Sequence, residues 1–152
     1  MSYKFSLDVL LDHRQKLENE ARRIWVEAQT KVDEATRELN GMYDLVDHTR
    51  AESGKIKTQG VVVGASQMPR LTMNDDFVAG SKIRIEMQRK KIRELKMAAD
   101  MLQEAVVEAA KERKTLEKLK EKRKAEYKLA ERKKELKEND ELVILRHKPE
   151  RE

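Results

Sequence analysis

The sequence contains no cysteine, and only two prolines and five glycines occur in its 152 residues. Without cysteine the chain forms neither a disulfide bond nor a thiolate metal site. With so few prolines and glycines, there are few points at which a helix has to end. Aromatic residues make up only 4% of the chain, too few to fill a thick globular core. A coiled-coil seam needs fewer apolar residues, because each helix buries only about two of every seven.

Long apolar runs are also missing from the sequence. No stretch approaches the roughly 20 apolar residues of a membrane-spanning helix. Residues 1–15 lack the apolar core of a secretory signal peptide. We therefore expect a cytoplasmic protein that reaches the cytoplasmic face of the cell membrane only through a partner.

Charged residues are abundant instead, at 41% of the chain, against roughly 25% in an average globular protein. The 34 basic and 29 acidic residues are interleaved along the chain, and the formal net charge is +5. That surplus is weaker than the continuous basic face of a dedicated nucleic-acid-binding protein. The composition therefore predicts that nucleic acid is not a partner.

Apolar residues in the first third of the chain recur at three- and four-residue steps, as on one face of a helix. They predict a helix over residues 6–52 with Ser6 as its N-cap. Two four-residue steps adjoin around Ala28, which predicts a stutter that locally unwinds a supercoil. The predicted seam positions are Leu10, Arg14, Leu17, Ala21, Ile24, Ala28, Val32, Ala35, Leu39, Met42, Val46 and Thr49.

Turn-forming residues cluster in residues 53–74 and predict an irregular connection. Asn74 and the two aspartates after it predict the N-cap of a second helix over residues 75–146, followed by a short tail over residues 147–152. The seam of this helix continues for about six heptads without a slip. Its predicted positions are Ile85, Gln88, Ile92, Leu95, Ala99, Leu102, Val106, Ala109, Arg113, Leu116, Lys120, Arg123, Tyr127 and Ala130.

Two long heptad helices with one connection are expected to fold back on each other. We predict a single all-α unit over residues 1–152, an elongated antiparallel two-helix coiled coil, with Leu10 opposite a residue near Leu116. The second helix would then extend past the first by about 25 residues, or roughly 35–40 Å.

The sequence offers no constellation for catalysis and implies no cofactor. The three histidines, His13, His48 and His147, lack the helical spacing of a metal-binding pair. No glycine-rich phosphate-binding loop is present, and a two-helix hairpin has no deep pocket. We therefore expect a protein that is not an enzyme.

The second seam becomes basic at Arg113, Lys120 and Arg123. Residues 111–137 contain 13 basic and 6 acidic residues, a surplus larger than that of the whole chain. One interpretation is a solvated helix end whose cations complement the helix dipole. The other is an electropositive surface that binds an acidic partner, and the residues alone do not decide between them.

A small apolar cluster lies near the end of the first predicted helix, at Met42, Tyr43, Leu45 and Val46. Four neighbouring residues cannot all face one seam, so Tyr43 and either Leu45 or Val46 are expected to stay outside. Exposed apolar residues on a thin helical hairpin often mark a contact site, although ordinary packing at the rim of the seam is the alternative.

Two motifs lie near the ends of the chain. The first is F-x-L-x-x-L-L-x-x-R, formed by Phe5, Leu7, Leu10, Leu11 and Arg14. The second runs from Glu112 to Arg123 and is followed by Glu126 and Tyr127. Together these motifs resemble those of the FliJ family of flagellar export proteins. This resemblance implies a coiled coil similar to the central stalk of rotary ATPases, working in the bacterial flagellar type III export apparatus.

The resemblance further implies the partners. They are the hexameric export ATPase FliI, whose assembly and activity the protein promotes, the membrane export-gate protein FlhA, and export chaperones. The implied ATPase-binding residues are Arg14, Arg113, Lys120 and Arg123, and the implied gate-binding residues are Met42, Leu45 and Thr49. Two other functions remain open: a generic coiled-coil scaffold, which would self-associate, and a basic nucleic-acid-binding hairpin, whose binding would depend strongly on salt.

Overall fold

The computed structural model describes residues 3–59 and 67–147, and these residues form two long helices. Helix α1 spans Asp8–Gln59 and helix α2 spans Met68–Arg146. Both are rich in Ala, Leu, Glu, Lys and Arg, the residues that lose least freedom in a helix. Within the described residues there is no strand, and the two helices pack against each other. The prediction of an all-α helical hairpin is therefore confirmed.

The chain divides into two compact units, and both contain part of each helix. We call residues 1–20 and 106–152 the terminal unit, and Ala21–Ala105 the central unit. In both units the pairing is antiparallel. In the terminal unit Lys120 pairs with Asp8 and Glu112 pairs with Arg14. The predicted neighbours Leu10 and Leu116 line one shallow recess there, as expected.

Polar pairs also join the helices in the central unit. The Asn74 side-chain amide donates to the Ser53 hydroxyl at 3.0 Å. The Gln88 amide donates to the Ala35 carbonyl at 2.9 Å and to the Glu38 carboxylate at 3.0 Å. Asn74, Ser53 and Gln88 are all buried. Such polar pairs inside a seam stabilise one alignment of the helices over others.

The connection is shorter than the predicted residues 53–74. Helix α1 continues through Ser53 to Gln59, and α2 already begins at Met68. Asn74 therefore does not cap a helix, because it lies inside α2 and bonds to Ser53. Arg70 and Glu52 add an ion pair at 2.7 Å. Of the predicted connection, residues 60–66 lie outside the described residues, as do residues 148–152 of the predicted tail.

At its other end α1 begins at Asp8, two residues after the predicted N-cap Ser6. The Ser6 hydroxyl accepts a hydrogen bond from Arg123 at 3.2 Å. The Phe5 carbonyl accepts the amide of Asp8 at 3.2 Å. Ser6 therefore joins the N-terminal segment to α2.

The predicted seam of α2 is confirmed from Ile85 to Lys120, where every predicted position is buried or half-buried. Tyr127 is also half-buried, whereas Arg123 and Ala130 are exposed. The same spacing extends back from Ile85 to the start of the helix. The additional seam residues are Leu71, Asn74, Val78 and Ser81.

Between Leu10 and Ala28, three predicted seam positions of α1, Arg14, Ala21 and Ala28, are half-buried as expected, whereas the other three are wrong. Leu10, Leu17 and Ile24 are 38–43% exposed. The residues that follow each of them by one position, Leu11, Glu18 and Trp25, are more buried. With these residues the three-four spacing runs from Leu11 to Ile56 without a break, so the predicted stutter is absent. The assignment failed because a glutamate occupies a buried seam position.

Two glycines inside α1, Gly41 and Gly54, have open space where a side chain would project. Glycine in a helix interior costs roughly 0.5–1 kcal/mol relative to alanine. We expect Gly41→Ala and Gly54→Ala each to raise the free energy of unfolding by that amount, measured by urea denaturation followed by circular dichroism. A loss of stability in either variant would contradict the helical assignment at that position.

Candidate functional site

The terminal unit contains the first group of predicted site residues. Aromatic side chains near the N-terminus contact α2 beside them. Phe5 is only 5% exposed. The Lys120 ammonium and the Arg123 guanidinium each lie 5.9 Å from the centre of its ring, within cation–π range. The rings of Tyr3 and Tyr127 lie 5.4 Å apart. Through these contacts, residues 3–7 pack against the part of α2 that ends at Tyr127.

Two of the predicted cations bind residues of the N-terminal segment. The Lys120 ammonium lies 2.6 Å from the Asp8 carboxylate, and this hydrogen bond is the main cause of the raised pKa of Lys120. Arg123 donates to the Ser6 hydroxyl. Lys120 therefore lies opposite the first residue of α1, and Arg123 lies opposite the segment that precedes α1. Beyond Tyr127, the described residues of α2 are exposed apart from half-buried Glu131.

Arg113 forms a buried ionic contact across the seam with Glu18. The Glu18 side chain is 5% exposed and that of Arg113 is 20% exposed. A second carboxylate, Glu117, lies 2.5 Å from the same guanidinium. Hydrogen bonds to Glu18 and then to Glu117 raise the pKa of Arg113, so the arginine stays charged. Burying either partner alone would leave a charge without compensation.

The fourth predicted residue, Arg14, pairs with Glu112 at the edge of the same seam. The structure thus brings Arg14, Arg113, Lys120 and Arg123 together in one unit. It also gives each of them an acceptor within the chain, which sequence reasoning missed. The cations that remain exposed around them without an ion pair to a described residue are Lys114, Lys118, Lys122, Lys124 and Lys128.

The second group of predicted residues lies in the central unit beside a shallow recess of about 80 Å³. Met42 and Leu45 line this recess together with Phe77, Ser81 and Arg84. Leu45 is 58% exposed, and Met42 and Phe77 are half-buried. The recess is therefore an accessible, largely apolar depression with one cation at its edge.

Arg84 is held at that edge by two contacts. Its guanidinium lies 5.4 Å from the centre of the Phe77 ring and donates to the Ser81 hydroxyl at 3.3 Å. Sequence reasoning missed these three α2 residues because it started the seam of α2 at Ile85. The available signal was the three-four spacing, which continues upstream to Leu71.

Thr49, the third predicted gate-binding residue, does not line the recess. It is a half-buried seam residue, and its hydroxyl donates to the Leu45 carbonyl at 2.8 Å. Either Leu45 or Val46 of the apolar cluster is expected to lie outside the seam. Leu45 is the exposed one, whereas Val46 is only 5% exposed. Tyr43 is half-buried, with Arg89 lying 5.7 Å from its ring centre. The pKa of Arg89 is raised mainly because its guanidinium donates a hydrogen bond to the Tyr43 oxygen.

Residues 3–59 and 67–147 contain no group of three or more side chains that could hold a metal ion. Neither of the two described helices carries an apolar stretch long enough to cross a membrane. The predicted site residues mark two surfaces, one basic in the terminal unit and one apolar in the central unit.

Comparison with known proteins gives one family. No curated protein and no solved structure gives a significant match to the chain. A family model described as "Flagellar FliJ protein" matches residues 3–152. Because this match covers nearly every residue, the chain belongs to the flagellar FliJ family, whose members are components of the flagellar protein export apparatus.

Proposed function

We propose that the protein is a non-enzymatic coupling component that binds the export ATPase FliI at one surface and the export-gate protein FlhA at another. The observation that carries this proposal is the family match over residues 3–152. An antiparallel helical hairpin with one basic and one apolar surface fits a protein that contacts two partners. The same proposal includes the handling of export chaperones and an indirect association with the cytoplasmic face of the membrane.

The ATPase-binding surface is proposed to lie in the terminal unit. The basic surplus of residues 111–137 and the exposed lysines of α2 favour an acidic partner. Arg14, Arg113 and Lys120 contribute by holding α1 and α2 together through their ion pairs. Arg123 is exposed and bonds only to the neutral Ser6 hydroxyl among the described residues, so it is the predicted residue best able to contact the ATPase directly.

The gate-binding surface is proposed to include the recess beside Met42 and Leu45, with Thr49 supporting it from the seam. Exposed apolar residues around a depression favour insertion of an apolar side chain from a partner. Arg84 would fix the orientation of a partner that carries an acidic residue next to that side chain.

A crossover experiment tests both surfaces. We expect the triple variant Lys118→Gln, Lys122→Gln and Arg123→Gln to lose most stimulation of the ATPase while keeping gate binding. Leu45→Asp is expected to do the reverse, because it places a charge in an apolar recess. ATPase activity would be measured with purified FliI, and gate binding by calorimetry with the cytoplasmic domain of FlhA.

The matched control for charge is Lys31→Gln, Lys55→Gln and Lys57→Gln, which removes three exposed cations from α1. This control should behave like the unmodified chain in both assays. Stimulation by the unmodified chain should also weaken as salt rises, because exposed charges are screened within about 8–10 Å at physiological ionic strength. The ATPase proposal fails if the terminal-unit triple variant stimulates as strongly as the control at low salt.

A further inference from the structure

The outer face of α2 in the central unit carries a second apolar surface. Four large side chains there are between 67% and 72% exposed, namely Ile83, Met87, Met97 and Met101. Ile83 and Met87 lie two positions before and after the buried seam residue Ile85. Met97 and Met101 lie two positions before and after buried Ala99. Two positions rotate a helix by about 200°. The four side chains therefore lie opposite the seam, and we call them the outer methionine face.

The spacing of this face fits a helical partner. Met97 and Met101 repeat the positions of Ile83 and Met87 after two heptads. The face is about 27 Å long from end to end, which matches a partner helix of about 18 residues. Between the two apolar pairs lie Lys90 and Glu94 on the same side of the helix. Methionine side chains are flexible and polarizable, so they adapt to the shape of an incoming apolar face.

The charges around the face decide what kind of partner fits. Residues 82–96 contain seven basic and two acidic side chains. Five of the cations make neither an ion pair nor a side-chain hydrogen bond to a described residue: Lys82, Lys90, Lys91, Arg93 and Lys96. A second copy of this chain would bring these cations against each other, and like charges at an interface are unfavourable. An acidic partner would neutralise them.

We infer that the outer methionine face binds an amphipathic helix of a partner protein whose apolar residues recur at three- and four-residue steps and whose flanking positions are acidic. Around Ile83 and Met87 the surface forms an apolar recess that is edged by Lys82, Lys90 and Arg93 and by Glu86, which is paired with Arg89. Apolar side chains of the partner helix fill this recess and contact the methionines, and its carboxylates pair with the surrounding cations.

This binding face is separate from the two surfaces of the proposed function. The recess beside Met42 lies along the edge of the seam, where α2 contributes Phe77, Ser81 and Arg84. The outer methionine face lies on the other side of α2 and uses none of these residues. Failure of this inference would therefore leave the proposed ATPase and gate contacts untouched.

Two fluorescent helical peptides of about 20 residues, long enough to span the face, provide the test. Both carry the same leucine face at three- and four-residue steps, one with glutamates and the other with lysines at the flanking positions. Fluorescence anisotropy with the full chain at low salt is expected to show binding of the glutamate peptide about tenfold tighter than that of the lysine peptide.

Two variants of the chain connect this binding to the outer methionine face. Ile83→Gln with Met87→Gln should weaken binding of the glutamate peptide about tenfold, with an unchanged melting temperature because both residues are exposed. Lys90→Glu with Arg93→Glu keeps the apolar residues and should reverse the preference toward the lysine peptide. The matched control, Leu129→Gln with Leu136→Gln, removes two exposed leucines from the terminal unit and should leave binding unchanged.

The inference would be overturned if the two peptides bound equally or if neither bound. It would also be overturned if the leucine control weakened binding of the glutamate peptide as much as the Ile83→Gln, Met87→Gln variant does. So would sedimentation data that show a dimer of the unmodified chain and a monomer of the Ile83→Gln, Met87→Gln variant. In that case a second copy of the chain, and not an acidic helix, would cover the face.

Discussion

Replacing Ile85 with aspartate is expected to lower the free energy of unfolding by about 3 kcal/mol or more. Ile85 is 8% exposed and lies in the seam of α2. The substitution removes buried apolar atoms and places a carboxylate in the apolar seam, which costs the free energy of removing that charge from water. Urea denaturation followed by far-UV circular dichroism would measure the loss.

Ile83 provides a matched control for this prediction on the same helix. It is the same residue type two positions earlier, but it is 67% exposed. Ile83→Asp should therefore change stability by no more than about 0.5 kcal/mol, as surface substitutions usually do. Similar losses in the two variants would mean that the assignment of faces on α2 is wrong.

Charge reversal at the buried pair of Glu18 and Arg113 is expected to lower the melting temperature by several degrees in each single variant. Arg113→Glu would place a carboxylate beside Glu18 and Glu117, and Glu18→Arg would place two guanidinium groups together in the seam. The double variant restores opposite charges and is expected to recover at least half of the loss. Thermal unfolding of the four proteins forms a double-mutant cycle.

An exposed pair shows whether burial is the cause. The Arg23 and Glu27 side chains are each 59% exposed and lie 2.6 Å apart. Exposed ion pairs contribute little to stability, so Glu27→Arg should change the melting temperature by only about 1 °C. The role assigned to the Glu18–Arg113 pair is refuted if the double swap melts no higher than the two single variants.

Much of the fold could be predicted from the sequence because the apolar spacing in α2 is unambiguous. From Ile85 to Ala109 nearly every seam position is apolar, and no competing row of large apolar residues has the same length. The helix type and the antiparallel arrangement follow from this spacing and from a single connection. Both of these predictions agree with the structure.

The first third of α1 could not be predicted in the same way. Because Leu10 and Leu11 are adjacent leucines, two rows of residues with three-four spacing compete for the seam. The row that contains fewer charged residues is the one that the sequence favours. The correct row contains Glu18, whose burial is compensated by Arg113 on the other helix, 95 residues away in sequence. A compensating residue that distant leaves no local signal.

The candidate sites were predictable only in part. The basic seam residues were identified from their heptad positions, and they do come together. Asp8 and Ser6, which accept hydrogen bonds from two of these residues, could not be identified in this way. Both lie at the N-terminal end of the chain, where the predicted first helix begins. Local composition indicates Met42 and Leu45, whereas Phe77 and Arg84 lie at the start of the predicted second helix, before its first predicted seam residue.

The polar pairs inside the seam have a mechanical consequence. A two-helix coiled coil with a uniformly apolar seam can slip by one heptad and still match leucine with leucine. In the terminal unit, a slip of seven residues in one direction would place Arg113 opposite Leu11 and leave its charge buried without Glu18. In the central unit, the same slip in one direction would place Asn74 opposite Val46 in place of Ser53. Within each unit the helices are therefore locked against sliding, so a load along one of them is borne by its neighbour as well.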